Sequence, residues 1–277
     1  MDKKIGFIGS GNMAGAMISG LIRSDISRPG NIMASNRTEL KLENLKSEYN
    51  IHTTLDNKEV AEFADILVLS IKPNKIKEVI NEIKTYIKED HIIVSIVAGV
   101  SIESIQDLFQ RKLKIARAMP NIPAIVAEGM TGLCHNSLVT ENEMKSIVKI
   151  FNSFGNVEVL DEELMDVVTA VSASSPALVY MFIEALADGA VLKGLSREKA
   201  YRMVSQAVLG SAKMVLDTDC HPGQLKDRVC SAGGTTIEAI YSLEKKGFRG
   251  HVIEAIDKCT EKSIKLGRLL NDSIDGK

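Results

Sequence analysis

Short apolar runs alternate with amphipathic segments over the first 160 residues of the chain. The predicted strands are Ile5–Ile8, Ile32–Ala34, Ile66–Ser70, Ile92–Ile96, Ile115–Ala118 and Val157–Leu160. The predicted helices between them include Met13–Ile22, Thr38–Glu48, Asn74–Tyr86, Ile102–Phe109 and a segment opened by Thr140 and Glu143 at capping-box spacing. Near-continuous apolar strands separated by helices are typical of a parallel sheet that is covered on both faces. The pattern predicts an α/β fold with an N-terminal Rossmann-type, doubly wound and mostly parallel sheet.

The pattern changes after Asp161, where helical periods continue without further strand signals. Ser175-Pro176 is a candidate helix start, and Pro222-Gly223 and Gly247–Gly250 are candidate breaks between helices. We therefore expect a Rossmann domain over residues 1–160 and an all-helical C-terminal domain over residues 161–277.

Pro176–Leu192 is apolar on nearly every helical face, with only Glu184 and Asp188 charged. A helix of this kind must be buried on all sides. A small helical domain has too little mass to surround it, because small domains bury a smaller share of their surface. The segment predicts self-association through the C-terminal domain.

Composition narrows the class of protein. The chain is 45% hydrophobic and 25% charged with a net charge of −2, which is ordinary for a soluble protein and disfavours nucleic acid and membrane surfaces as partners. Its four cysteines are widely spaced and form no C-x-x-C pair, so neither a zinc site nor a disulfide framework is expected. No signal peptide is evident, and no apolar stretch reaches the ~18 residues that span a bilayer. We expect a cytoplasmic protein without a metal.

The first predicted strand leads into a glycine-rich turn. Gly9-Ser10-Gly11-Asn12-Met13-Ala14 matches G-x-G-x-x-A between a strand and a helix. In this motif Gly9 permits the tight turn, Gly11 the close approach of a pyrophosphate, and Ala14 the packing of helix on strand. The helix N-terminus then offers free N–H groups to the phosphates. The motif predicts dinucleotide binding.

The second strand ends in Ser35-Asn36-Arg37, where NAD-specific sites usually carry Asp or Glu. A carboxylate would repel a 2′-phosphate, whereas Arg37 can pair with it through two hydrogen bonds. We expect NADPH to be preferred, with NADH possible.

A second glycine-containing segment, Ser231–Thr236, precedes a predicted helix near the C-terminus. Two glycines allow close approach of a ligand, and the helix offers N–H groups and hydroxyls to an anion. Thr235 and Glu238 also have capping-box spacing, so this pattern alone is equally consistent with a plain helix start.

Five motifs in order resemble the pyrroline-5-carboxylate reductase family along nearly the whole chain. They are Gly9–Met13, Ser70–Pro73, Ser95–Gly99, Arg117–Pro123 and, the most specific, Leu225–Glu244 around Gly233-Gly234-Thr235-Thr236. The resemblance implies a Rossmann domain followed by a helical substrate-binding and dimerisation domain, and the last step of proline biosynthesis.

The resemblance also implies site residues. The implied cofactor contacts are Ile8, Gly9, Ser10, Gly11, Asn12, Met13, Ser35, Asn36, Arg37, Asn57, Ser70, Ile71, Lys72, Pro73, Ile96, Val97 and Ala98. The implied substrate cradle is Ser231, Gly233, Gly234, Thr235 and Thr236, with Glu162 at a more peripheral position and the Thr236 hydroxyl near the imine nitrogen as the catalytic group.

The chain departs from the family pattern at two places. The family's S-G-S-G-P-A-Y reads Ser172-Ala173-Ser174-Ser175-Pro176-Ala177-Leu178 here, and Ile122 stands where threonine is usual. The lost glycines and tyrosine alter packing near the implied substrate region, so the cofactor site is better supported than the fit of the substrate.

Two alternatives remain open on the residues. An NADPH-dependent β-hydroxyacid dehydrogenase would need a lysine on the Pro176–Leu192 helix, which has none. Lys72, the other candidate lysine, fits a cofactor contact better. A non-catalytic NADPH-binding regulator would not need the Ser231–Thr236 segment. The five histidines fall in no common motif, and we interpret them as surface or capping residues.

Overall fold

The structure is a computed structural model that describes residues 1–275. Its strands are β1 (Ile5–Ile8), β2 (Ile32–Ser35), β3 (His52–Thr54), β4 (Ile66–Leu69), β5 (Ile92–Ser95), β6 (Lys114–Pro120), β7 (Gly129–His135) and β8 (Gly155–Val159). Its α-helices are α1 (Asn12–Arg23), α2 (Glu39–Tyr49), α3 (Asn57–Phe63), α4 (Ile76–Ile83), α5 (Ile102–Phe109), α6 (Glu141–Phe151), α7 (Met165–Val168), α8 (Ser175–Leu192), α9 (Arg197–Thr218), α10 (Pro222–Val229), α11 (Thr235–Lys245) and α12 (Phe248–Asp275). Short 3₁₀ turns occupy Pro29–Asn31, Pro73–Lys75, Ile122–Val126 and Glu162–Leu164, and a π-turn occupies Thr169–Ser174.

All eight strands form one sheet in the order β3-β2-β1-β4-β5-β6-β7-β8. Neighbours from β3 to β6 pair in parallel, β7 pairs antiparallel with β6, and β8 pairs in parallel with β7. Every residue of β1, β4 and β5 is buried, because helices cover both faces of the sheet in two apolar clusters. The predicted fold class is confirmed.

Two strands and one helix have no counterpart among the predicted elements. β3 has only three residues and a polar sequence, His-Thr-Thr, so its pairing with β2 decides its conformation. β7 contains two glycines and no continuous apolar run. It forms because β6 offers an open edge beside it. α3 is a short helix capped by the Asp56 side chain, which accepts from Lys58 N.

The chain forms two compact units. The first contains residues 1–174 together with the stretch that begins at Cys259, and the second is Ser175–Lys258. The last strand, β8, ends at Val159, one residue before the boundary predicted at residue 160, and the assignment of domains stays a prediction. The second unit is entirely helical, with α8 packed on α9 and Phe182 beside Phe248.

Residues 162–192 are helical without a break, so Ser175 does not cap a new helix as its position before Pro176 had suggested. By length and composition alone this run is apolar enough to cross a membrane, contrary to the expectation that no stretch reaches that size. Within the single chain Ala187 is the buried residue of α8, while Tyr180 and Met181 are exposed. The apolar surface of α8 is therefore available to a partner.

Candidate functional site

A cavity of about 540 Å³ opens at the carboxyl ends of β1, β2 and β4. Parallel strands of a doubly wound sheet place the loops that bind nucleotides at this edge. Ten of the implied cofactor residues line the cavity together: Ile8, Gly9, Ser10, Gly11, Asn36, Arg37, Asn57, Ser70, Ile71 and Lys72. The structure also adds residues that sequence reasoning missed, namely Thr38, Lys41, Leu55, Lys75, Glu78, Val79 and Glu82. The missed residues lie on or beside α2, α3 and α4, and no motif marks them.

The two glycines of the first turn serve different purposes. Gly9 has φ +92°, and a Cβ there would stand 2.3 Å from the carbonyl oxygen of Ser70, so only glycine fits between these loops. Gly11 precedes α1 as its N-cap residue, and a Cβ there would meet nothing within 4 Å. Its missing side chain leaves open space above the N–H groups of Asn12 and Met13 in the first turn of α1. That space suits a phosphate at a helix N-terminus.

Four basic side chains line the first cavity, two after β2 and two after β4. Arg37, Lys41, Lys72 and Lys75 all line the cavity, and Arg37 is exposed and free to meet a ligand. The hydrogen bond from Lys75, 2.6 Å long, lowers the pKa of the Glu78 carboxyl from its ordinary value. Arg37 and Lys41 are the two of these cations that follow β2 in the chain, which fits a site for an added phosphate.

Hydrogen bonds between side chains orient the polar groups that line the first cavity. Asn57 Nδ2 donates to Glu82 Oε2 at 2.8 Å, and the Ser35 hydroxyl donates to Asn57 Oδ1 at 2.7 Å. Nearby, Asn36 Nδ2 donates to Ser10 Oγ at 2.7 Å. Ser35 itself is fully buried, so it acts on the cavity through Asn57.

Four of the implied cofactor residues follow β4 and β5 and do not line the first cavity: Pro73, Ile96, Val97 and Ala98. Val97 is buried, and Ile96, the residue directly after β5, is half-buried. A second cavity, of about 760 Å³, is lined by Lys72, Pro73, Asn74, Ala98, Gly99, Thr169, Ser174, Cys259, Lys262, Ser263, Leu266, Leu269 and Leu270. Lys72 thus borders both cavities. The second one extends the row of loops from β4 to β5 along the same edge of the sheet.

The Ser231–Thr236 segment forms a turn that leads into α11. Gly233 has φ +66°, and Gly234 N donates to Ser231 O at 3.1 Å. Gly234 is the N-cap residue of α11, and no side chain caps the helix. The capping-box alternative from Thr235 to Glu238 is therefore wrong, because Thr235 is already the first residue of the helix. The N–H groups of that first turn are left for a ligand.

Two side chains of this segment differ in exposure. Thr235 is exposed, and Thr236 is half-buried. A Cβ at Gly234 would meet Ser231 Oγ at 2.2 Å, so a side chain at this position would displace the serine hydroxyl before it met any ligand.

Glu162 makes structural contacts within the first unit. Its Oε1 accepts from Ile102 N at 2.9 Å, at the start of α5, and from Arg117 Nη1 at 3.1 Å. Arg117 is buried in β6, so the pair fastens the start of the helical run to the sheet. The implied role of Glu162 near the substrate stays a prediction.

Among the residues that the structure describes, no histidine lines either of the two cavities. His221 caps α10 by accepting from Gly223 N, as the capping interpretation predicts. His91 is an exception to that interpretation, because it is buried and burial lowers its pKa. Across residues 1–275 no group of His, Cys, Asp or Glu side chains is arranged to hold a metal ion.

Two family models match the chain. Residues 162–266 match the model described as pyrroline-5-carboxylate reductase dimerisation. Residues 4–99 match the model described as NADP oxidoreductase coenzyme F420-dependent. The N-terminal part is thus an NADP-binding domain, and the match of the helical part to a dimerisation domain implies that the chain self-associates.

Full-length relatives share this plan. The chain is 48% identical over 268 residues to pyrroline-5-carboxylate reductase of Escherichia coli, covering 97% of this chain and 100% of the relative. A pyrroline-5-carboxylate reductase structure from Coxiella burnetii superposes with a TM-score of 0.91 at 35% identity, covering 96% of this chain and 99% of that one. A Plasmodium falciparum pyrroline carboxylate reductase structure with NADP bound superposes with a TM-score of 0.86 at 35% identity, covering 96% and 98%. This chain belongs to the pyrroline-5-carboxylate reductase family.

Proposed function

We propose that the chain reduces 1-pyrroline-5-carboxylate to L-proline, the last step of proline biosynthesis, and prefers NADPH as the reductant. The observation that carries the proposal is the full-length identity of 48% to the Escherichia coli enzyme. In the balanced reaction a hydride adds to the imine carbon and a proton to the imine nitrogen, and the products are proline and NADP⁺. A protonated C=N bond is already electrophilic, so the residues need chiefly to bind and orient.

The first cavity supports binding of the cofactor. Gly11 leaves room for a pyrophosphate beside the N-terminus of α1, where backbone N–H groups can donate to it. Arg37 and Lys41 flank the position where an adenosine 2′-phosphate would lie, and the two residues directly after β2, Asn36 and Arg37, carry no carboxylate. When bound, NADPH supplies the hydride. The protein's part is to hold the dinucleotide along the carboxyl edge of the sheet.

The turn at Ser231–Thr236 supports binding of the substrate carboxylate. Its free N–H groups lie at the positive end of the α11 dipole, and Ser231 and Thr235 add hydroxyl donors. We assign the Thr236 hydroxyl to a hydrogen bond with the imine nitrogen. Its pKa is too high for efficient proton donation, so orientation is its main role.

The two parts of the chain are proposed to have separate roles. Residues 1–160 bind the cofactor, and residues 161–277 bind substrate and self-associate, with Glu162 near the substrate. The cytoplasm is the compartment proposed, because the family reaction draws on a soluble cofactor pool.

One assay tests the activity. Purified protein is mixed with NADPH and pyrroline-5-carboxylate, and nicotinamide absorbance and proline are both measured. We expect one proline per NADPH consumed, with NADH less effective. NADPH binding without turnover would indicate the non-catalytic regulator instead. Turnover of a β-hydroxyacid, but not of the imine, would indicate the dehydrogenase.

A further inference from the structure

The helical run that leads into α8 leaves the α-helical pattern just before Pro176. Six residues, Thr169–Ser174, form a π-turn. In a regular α-helix the carbonyl of Ser172 would accept from the N–H of residue 176, and proline has no N–H to donate. Pro176 therefore removes a donor at the point where the helix changes its hydrogen-bonding pattern. π-turns inside α-helices occur frequently at functional sites.

Asn121 supplies a donor to that carbonyl. Its Nδ2 donates to Ser172 O at 3.2 Å, and its Oδ1 accepts from Met130 N at 2.8 Å. The side chain is buried, directly after β6, so it cannot exchange these partners freely with water. One amide thus joins the π-turn to the start of β7.

The π-turn also borders the second cavity. Thr169 and Ser174, its first and last residues, line that cavity together with Lys72, Pro73 and Ala98, three of the implied cofactor contacts. A shift of the π-turn would therefore change the shape of the second cavity. Arg37 lines only the first cavity, so the reacting end of an extended dinucleotide would lie in the second.

We propose that Asn121 is a positioning residue for hydride transfer, which holds the π-turn at Thr169–Ser174 through the Ser172 carbonyl. The proposal rests on the proposed reduction of the imine. Asn121 contacts no reacting atom in this assignment. It acts by fixing the wall of the second cavity, while the first cavity carries most of the affinity for the cofactor.

The test compares Asn121→Ala with Asn136→Ala. Asn136 is a matched control, because its amide also bonds one backbone carbonyl and one backbone N–H: Nδ2 donates to Leu113 O at 2.8 Å and Oδ1 accepts from Ile115 N at 3.3 Å. It lines neither cavity. We expect both variants to lose similar thermal stability. Only Asn121→Ala should lose kcat, by roughly 10- to 100-fold for a displacement near 1 Å, with its Kd for NADPH almost unchanged.

A double-mutant cycle tests the route through Ser172. Pro176→Ala restores the N–H that an α-helical turn would direct at the Ser172 carbonyl, so this carbonyl should depend less on Asn121. Asn121→Ala should then cost little further kcat in the Pro176→Ala background. If the kcat losses of the two single variants multiply in the double variant, Asn121 acts by another route, and the proposal would be overturned. Equal losses of kcat in the Asn121 and Asn136 variants would overturn it as well.

Hydrogen exchange gives a reading that does not depend on activity. In Asn121→Ala the amides of residues 169–174 should exchange roughly five- to tenfold faster, because one hydrogen bond stabilises the closed state by about that factor. In Asn136→Ala their exchange rates should not change. Unchanged exchange in both variants would overturn the proposal. A wild-type protein that does not reduce the imine would refute the proposed function, whereas an unimpaired Asn121→Ala enzyme beside an active wild type refutes only the positioning role.

Discussion

Gly9 and Ser70 approach so closely that a Cβ at Gly9 would stand 2.3 Å from the Ser70 carbonyl oxygen. The contact joins the loop after β1 to the loop after β4 and so shapes the first cavity. Gly11, two residues later, meets nothing within 4 Å. The two glycines of one motif can therefore be separated by experiment.

Gly9→Ala should destabilise the protein, whereas Gly11→Ala should spare its stability and weaken the cofactor. At Gly9 the left-handed backbone and the Ser70 carbonyl cost about 1–3 kcal/mol of unfolding free energy or more. At Gly11 the added methyl group enters the space proposed for the pyrophosphate, and losing one charged hydrogen bond there raises the Kd for NADPH roughly 10- to 100-fold. Denaturant unfolding and fluorescence titration measure the two effects. Unchanged NADPH affinity in Gly11→Ala would place the pyrophosphate elsewhere.

Arg37→Ala should erode the preference for NADPH over NADH. Loss of a charged hydrogen bond to the 2′-phosphate costs about 1.5–3 kcal/mol, so the Kd for NADPH rises roughly 10- to 100-fold while that for NADH changes little. Arg28→Ala, which removes an exposed charge outside the cavity, is the control. Equal weakening of both cofactors would contradict the assignment of Arg37 to the 2′-phosphate.

Met181→Glu should break the self-association of the C-terminal domain. Met181 is 66% exposed on α8 in the single chain, and burying an unpaired carboxylate in an apolar interface is strongly unfavourable. Leu40→Glu is the matched control, because Leu40 is 65% exposed on α2. Light scattering should give monomers or aggregates for Met181→Glu and the native mass for Leu40→Glu. Ala187 is unsuitable for this test, since it is fully buried within the chain and a charge there would damage the fold itself.

Thr236→Val should lower kcat/KM by roughly 10- to 100-fold and leave the pH profile in place, if the hydroxyl orients the imine nitrogen. Thr236→Ser keeps the hydroxyl and should restore most of the activity. NADPH affinity should be unchanged in both variants. A loss confined to NADPH affinity would assign the Ser231–Thr236 turn to the cofactor. A much larger loss, with one limb of the pH profile missing, would indicate proton transfer by Thr236.

Glu143→Gln should make the free energy of unfolding less dependent on pH in the acid range. Burial alone would raise the pKa of Glu143, but the hydrogen bonds from Lys114 and Thr140 outweigh it and lower the pKa to about 2. The unfolded value is about 4.3. The stabilisation is therefore complete above about pH 5 and is lost as pH falls towards 2.

Denaturant unfolding between pH 2 and 7 measures this contribution. The difference between wild type and Glu143→Gln should be about 1–2 kcal/mol at neutral pH and should vanish near pH 2. Glu141→Gln, an exposed carboxylate in the same helical turn, should show no such slope. A pH-independent difference for Glu143→Gln would mean that its packing, and not its charge, matters.

Features encoded by neighbouring residues could be predicted from the sequence. β1, β4 and β5 are buried on both faces, so each is a short continuous apolar run that needs no partner to be recognised. The capping box of Thr140 and Glu143 and the turn at Gly9 and Gly11 depend on spacings of two or three residues. Local sterics and hydrogen bonding specify such features before any distant contact forms.

Features that depend on distant partners were decided by the tertiary structure. β7 carries too few apolar residues to be recognised and becomes a strand because β6 lies beside it. The contact of Glu82 with Asn57, and that of Asn121 with Ser172, join residues 25 and 51 positions apart. Periodicity and motifs report only neighbours along the chain. A polar side chain in a helix or loop acquires its role when packing of the core places one hydrogen-bonding group within reach of another and excludes the water that would otherwise compete.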